Sequence, residues 1–134
     1  MNETPLRIVI AEDDEKLATL VAELLDRDSR FVVVARASDG NQAVQLVEHH
    51  GPDLVLMDIG LPGRDGIDAT RAIHAWNSDQ HVVIYTGSGE YDDIARADAA
   101  GAIGFLHKDA LVSPDLADAL HVLHMNFIGN RSDD

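Results

Sequence analysis

Ile8-Val9-Ile10-Ala11-Glu12-Asp13-Asp14-Glu15-Lys16-Leu17 is the stretch from which the fold can be read. Four apolar residues run without a polar interruption, as in a strand covered on both faces within a parallel sheet. Four acidic or charge-rich positions follow at once. Beyond them Leu17, Leu20, Val21, Leu24 and Leu25 recur at i, i+3, i+4, i+7 and i+8, one apolar face of a helix. The chain therefore opens as strand, acidic turn, helix.

The same unit returns along the sequence. Further continuous apolar runs are Phe31-Val32-Val33-Val34-Ala35, Leu54-Val55-Leu56-Met57, Val82-Val83-Ile84-Tyr85 and Ile103 to Leu106. Asp39-Gly40-Asn41 gives a turn and cap before Ala43, Val44 and Val47, and Gly66 precedes Ile67, Ala69, Ala72, Ile73 and Trp76, the last read as a packing residue. A fourth helix from about Tyr91 to Ala100 offers mainly Ile94 and alanines, so it is expected to be the loosest element. Ser113 as N-cap and Pro114 at the first helical position announce a last helix, with Leu116, Leu120, Leu123 and Phe127 facing inward. Strand–helix alternation repeated five times predicts an α/β domain: a doubly wound (βα)5 five-stranded parallel sheet of order 2-1-3-4-5, flavodoxin-like. One domain over residues 1–128 is expected, with 129–134 a disordered polar tail.

Composition bounds the function. The 134 residues are 46% hydrophobic and 25% charged, the profile of one folded globular domain. With no cysteine there are no disulfides, thiol nucleophiles or zinc-thiolate sites. No apolar run approaches the roughly 20 residues of a membrane helix, and Met1-Asn2-Glu3-Thr4-Pro5 does not read as a signal peptide, so a cytoplasmic protein with no membrane partner is expected. Acidic residues outnumber basic ones 24 to 10, for a net charge of −14, which disfavours direct nucleic-acid binding. Aspartate dominates, eighteen against six glutamates, while the lysines are Lys16 and Lys108 alone.

Ligands in such sheets bind beyond the carboxyl ends of the strands, at the switch point between the first and third. There stand Glu12, Asp13 and Asp14 after the first strand, Asp58 at the end of the third, Thr86 at the fourth and Lys108 at the fifth. Carboxylates at ~4 Å repel by about 4 kcal/mol at an effective dielectric near 20. Glu12, Asp13 and Asp58 together thus require raised pKa values or a cation, and an all-oxygen, hydrated cluster suits magnesium. Lys108 adds a fixed positive charge and Thr86 a hydroxyl donor. Singly, each has an ordinary explanation: Asp14 as a helix cap, an isolated aspartate as a turn residue. Together they are the groups that one metal-assisted phosphoryl site needs.

These residues, with Asp53-Leu54-Val55-Leu56-Met57-Asp58-Ile59, Leu61-Pro62-Gly63, Asp65-Gly66 and Gly104-Phe105-Leu106-His107-Lys108-Asp109, closely resemble the receiver domain of two-component response regulators from about Arg7 to Phe127. Lys108-Asp109 followed by Ala110-Leu111 is similar to the LuxR-type (NarL/FixJ-like) branch. The resemblance implies a signalling switch rather than a turnover enzyme. Asp58 would be the phosphoacceptor, taking its phosphoryl group from a sensor histidine kinase. Mg2+ would be held by the side chains of Asp13 and Asp58, the backbone carbonyl of Gly60, and Glu12 directly or through water. Thr86 and Lys108 would contact the phosphoryl group, and Phe105 would be the aromatic switch. The change would regulate an output domain, transcriptional in that branch, or a partner, including a phosphorylation-dependent homodimer; DNA would be reached only through a C-terminal output domain absent from this chain.

Departures are Gly60, where a larger side chain is common, and Arg64, expected to pair with Asp65 or Asp68 in solvent. Thr86-Gly87-Ser88-Gly89 lacks the lysine spacing of a P-loop. The seven histidines read as surface residues, His121 with His124 being the one spacing of interest, and His107 is expected to point away from Lys108. Competing readings are a pseudo-receiver interaction module and an aspartate-nucleophile phosphatase of the haloacid-dehalogenase type, which would want an aspartate where Gly60 stands; a flavodoxin role lacks its threonine-rich loop.

Overall fold

The computed structural model describes residues 4–87 and 91–131. Five parallel strands, β1 (Leu6–Ala11), β2 (Phe31–Ala37), β3 (Leu54–Asp58), β4 (His81–Thr86) and β5 (Gly104–His107), lie in the order β2-β1-β3-β4-β5. They alternate with helices α1 (Glu15–Asp26), α2 (Gly40–His50), α3 (Gly66–Trp76), α4 (Tyr91–Ala99) and α5 (Leu116–Arg131). The expected topology is the observed one. The three inner strands are buried along nearly their whole length, which explains their unbroken apolar runs.

Alternation along the strands divides the core in two. Val9, Val55, Met57, Val82 and Ile84 meet residues of α2, α3 and α4 on one face. Ile8, Ile10, Leu54, Leu56, Val83 and Tyr85 meet α1 and α5 on the other. Continued to the strand ends, this parity puts Glu12 and Asp58 on the α1/α5 face. The β3–β4 register pairs Asp58 with Tyr85 there.

Caps and close approaches fix the loops that carry these residues. Asp14 caps α1 by accepting hydrogen bonds from the Lys16 and Leu17 amides at 3.0 and 3.2 Å. Asp39 and Asp65 cap α2 and α3 in the same way. Gly66 lets α3 start hard against the end of β3, since a Cβ there would lie 2.2 Å from the Asp58 carbonyl oxygen. Gly66→Ala is expected to destabilise the protein by about 2 kcal/mol or more; a urea midpoint equal to that of the wild type would show that the contact relaxes freely.

Several expectations are corrected. Lys108–Val112 forms a 3₁₀ turn capped by Ser113, so α5 begins at Leu116 instead of Pro114. Leu116 and Leu120 are buried and Leu123 packs against the same core, as expected, but the fourth inner position is His124 and Phe127 is exposed. His124 is accordingly buried with His81, their Nδ1 atoms 2.9 Å apart, at the end of the sheet opposite the acidic residues. Trp76 is 54% exposed, not packed. Among the described side chains of α4 the buried one is Ala97, while Ile94 is exposed, so the described part of this helix offers the core little apolar surface. Helix α5 continues to Arg131, into the stretch expected as a tail; residues 132–134, and residues 88–90 of the loop after Thr86, lie outside the described residues. Among the described residues no helix is long and apolar enough to cross a membrane.

Candidate functional site

The carboxyl edge of the sheet gathers the predicted acidic residues. Glu12, Asp13 and Asp58 each offer a carboxylate oxygen within 4.8 Å of the others. Glu12 continues the β1 ladder by one residue, its amide donating to the Ala37 carbonyl at 3.0 Å. Glu12 and Asp58 are buried, while Asp13 is exposed. The site thus has a dry floor and one wet wall, toward which a polar cavity of about 370 Å³ opens between Glu12, Asp13, Arg36 and Gln42.

Burial of these charges has a measurable electrostatic consequence. The Glu12 carboxyl is pushed up by desolvation and by the charge of Asp58, against lowering hydrogen bonds from the Asp14 amide and Tyr85. Asp58 is also pushed up, chiefly by burial and further by Asp13, against the Gly60 amide and Lys108. Both shifts mark carboxylates short of positive charge. The donor set is oxygen only, partly hydrated and anionic, which fits a small hard divalent cation.

The remaining residues are placed as follows. Gly60 is exposed and donates its amide to Asp58 Oδ1 at 3.1 Å. Lys108, first residue of the 3₁₀ turn, lies with Nζ 3.5 Å from Glu12 Oε1 and its side chain 37% exposed. Its stem runs past Gly87, whose missing Cβ leaves 4.0 Å to Lys108 Cδ. Thr86 is buried at the end of β4, one residue beyond the partner of Asp58. Phe105 is not part of the acidic cluster: it is half-buried on β5, opposite Ile84, and lines an apolar groove of about 440 Å³ with Ile94 and Ala97. Register nevertheless sets Phe105 on the same face as Thr86, since Ile84 pairs with Phe105 and Thr86 with His107. His107 is exposed and caps the 3₁₀ turn through Nδ1, which accepts the Asp109 amide at 3.1 Å. Arg64 makes no ion pair among the described residues; Arg96 approaches Asp65 at 4.0 Å and Arg71 pairs with Asp68 at 2.9 Å.

Sequence reasoning missed one contributor. Tyr85 reads as an ordinary apolar strand residue, yet its hydroxyl donates to Glu12 Oε1 at 2.9 Å. Strand parity could have found it, because Val83 and Tyr85 share a face with Glu12 and Asp58.

Residues 8–121 match the response regulator receiver domain family. The chain is 40% identical to the transcriptional regulatory protein PdtaR of Mycobacterium tuberculosis over 92% of its own length and 58% of that protein. It is 32% identical to the chemotaxis protein CheY of Halobacterium salinarum, covering 85% of this chain and 92% of CheY. A LuxR-family two-component response regulator from Aurantimonas sp. SI85-9A1 superposes with a TM-score of 0.85 at 31% identity, over 92% of this chain and 87% of that one.

Proposed function

The chain belongs to the response regulator receiver domain family, and from that premise we propose that it is a phosphorylation-dependent switch whose acceptor is Asp58. One observation carries the reading: three carboxylates converge at the carboxyl edge of the sheet with Lys108 as the cation beside them. We assign the receiver unit to residues 1–128.

An Asp58 carboxylate oxygen attacks the phosphorus of a phosphohistidine in a sensor kinase. The P–N bond breaks, and its electron pair leaves with the imidazole, which takes up a proton. This reaction calls for alignment and charge neutralisation more than for covalent machinery. The Gly60 amide orients Asp58 by holding Oδ1. Lys108 offsets the charge of the buried carboxylates, and the Thr86 hydroxyl donates to the incoming phosphoryl oxygens. Asp13, Asp58 and Glu12, with the Gly60 carbonyl, would hold Mg2+, which when bound supplies the positive charge that lets anionic donor and anionic acceptor meet. Phosphorylated Asp58 draws Thr86 inward, and Phe105 on the same face follows, shifting the lightly anchored α4. The readout is an output domain or partner, transcriptional by analogy with PdtaR, or a second copy of the chain, and the same reading has the switch act in the cytoplasm, where such a kinase would meet it.

Acetyl phosphate with Mg2+ is expected to add one phosphoryl mass to the wild type and none to Asp58→Asn, read by mass spectrometry. Labelling that persists in the variant would overturn the assignment of Asp58, and catalytic turnover of phosphate esters would favour the phosphatase reading. Gly60 also sets the lifetime of the product. A Cβ there would stand 3.9 Å from Asp58 Oδ1 with no closer neighbour, so a side chain fits over the carboxylate and shields it. Gly60→Asn is expected to lengthen the half-life of the aspartyl phosphate several-fold, followed by loss of the phosphorylated mass after acetyl phosphate is removed; an unchanged half-life excludes shielding.

A further inference from the structure

Outside the acidic, hydroxyl and lysine groups, the site is framed by the fully buried Tyr85. Its ring lies in the core cluster that includes Leu111, Leu116 and Leu120, so the hydroxyl cannot swing out to water. Its backbone locks the end of β3: Tyr85 pairs with Asp58, and its carbonyl accepts the Ile59 amide at 2.9 Å. The hydroxyl has one proton and two nearby acceptors, Glu12 Oε1 at 2.9 Å and the Ala11 carbonyl at 3.2 Å. The carboxylate is nearer and charged, so it takes the stronger share.

Glu12 is held from both sides as a result. Oε1 receives Tyr85 and Oε2 receives the Asp14 amide at 2.9 Å. A free glutamate side chain would lose several rotamers on joining a metal site, and this one has lost them beforehand. Tyr85 needed only the Ala11 carbonyl to satisfy its hydroxyl. Its placement on a buried carboxylate of the cluster is what a structural tyrosine does not require.

We propose that Tyr85 is a positioning residue for divalent-cation binding, acting through its hydroxyl on the carboxylate of Glu12. The inference rests on reading the acidic cluster as a magnesium site. Partners that orient metal ligands typically change metal affinity by about 10- to 100-fold. Tyr85→Phe removes the hydroxyl and keeps the ring, so it is expected to weaken Mg2+ binding about tenfold at the low end of that range.

The experiment is calorimetric titration of Mg2+ into wild type, Tyr85→Phe, Glu12→Ala and the double variant, with thermal melts in chelator to compare their folds. The expected result is a weaker Kd at unchanged stoichiometry for Tyr85→Phe, and no further loss when Tyr85→Phe is added to Glu12→Ala, which has no oxygen left for the hydroxyl to hold. Should Tyr85→Phe melt too low to titrate, the wild type itself supplies the readout: a tyrosine near-ultraviolet difference signal on adding Mg2+, lost in Glu12→Ala. Wild-type affinity in Tyr85→Phe, an equal loss in the Glu12→Ala background, or no tyrosine signal overturns the proposal while leaving Asp58 as acceptor. A wild type that binds no Mg2+ overturns both.

Discussion

Asp58→Asn is expected to melt at a higher temperature than the wild type when both are metal-free, and to lose most of the stabilisation that Mg2+ gives the wild type. Glu12 and Asp58 are both pushed above the ordinary carboxylate range, by burial first. An acid whose folded pKa is raised favours the folded state only while protonated, so its contribution fades as pH climbs through the raised value. At neutral pH the cluster therefore works against folding. Asparagine removes one charge and keeps an oxygen to accept the Gly60 amide, now at 3.1 Å from Oδ1. Repulsion between carboxylates within 4.8 Å is about 3.5 kcal/mol per pair or more at an effective dielectric near 20; with the attraction to Lys108 lost as well, the net relief is on the order of 1–3 kcal/mol, or several degrees in Tm for a domain of this size. Mg2+ at a hundred times its Kd would return about 2.7 kcal/mol to the wild type. Melts in chelator and in saturating Mg2+ check the pair of effects, and melts in chelator from neutral pH down toward 5 should show the wild type gaining on the variant. A variant less stable than the wild type in chelator would mean that Asp58 is a structural carboxylate.

The parts of this molecule that were legible in the sequence are those where one physical demand dominates. Burial of a strand on both faces leaves an unbroken apolar run, so order and topology could be read from five such runs. The strand ends were legible because Glu12, Asp13 and Asp58 are too costly to gather by accident. Elements answering to two demands at once were not. Lys108–Val112 reads as loop before a capped helix, but Lys108 must be presented at the site while Leu111 is fully buried, and a 3₁₀ turn meets both needs. His124 reads as surface because histidine tolerates water; its burial depends on His81, 43 residues away. Tyr85 hides for the opposite reason, its ring serving the core while its hydroxyl serves the site. Trp76 shows the converse, a large apolar residue left outside because α3 already fills its face with Ile67, Ala69 and Ile73.

Lys108→Met is expected to slow phosphoryl transfer to Asp58 by about a hundredfold, the scale of losing one preorganised charge aimed at the reacting group. The lysine is neither free in solvent nor locked in a buried pair: Nζ stands 3.5 Å from Glu12 Oε1 with 37% of the side chain exposed. In the proposed switch that loose tie would let it turn toward the phosphoryl oxygens as Asp58 exchanged one negative charge for the larger charge of the phosphoryl group. Methionine keeps an unbranched stem beside Gly87 and removes the charge together with its N–H donors. Mg2+ affinity should hold or improve, since a like charge leaves the neighbourhood of the cation. This opposes the outcome for Tyr85→Phe and separates the two roles. The rate of labelling by acetyl phosphate at saturating Mg2+ is the measurement, and a rate equal to the wild type would reduce Lys108 to a surface counter-ion. A second consequence concerns signalling. Lys108 directly follows β5, the strand that carries Phe105, so under the proposed function a bond from it to the phosphoryl group would be a mechanical tie between the acceptor and the face that α4 covers. Lys108→Met, once labelled, should therefore show less change in hydrogen exchange along α4 than the labelled wild type, because charge at Asp58 without that tie leaves β5 where it was.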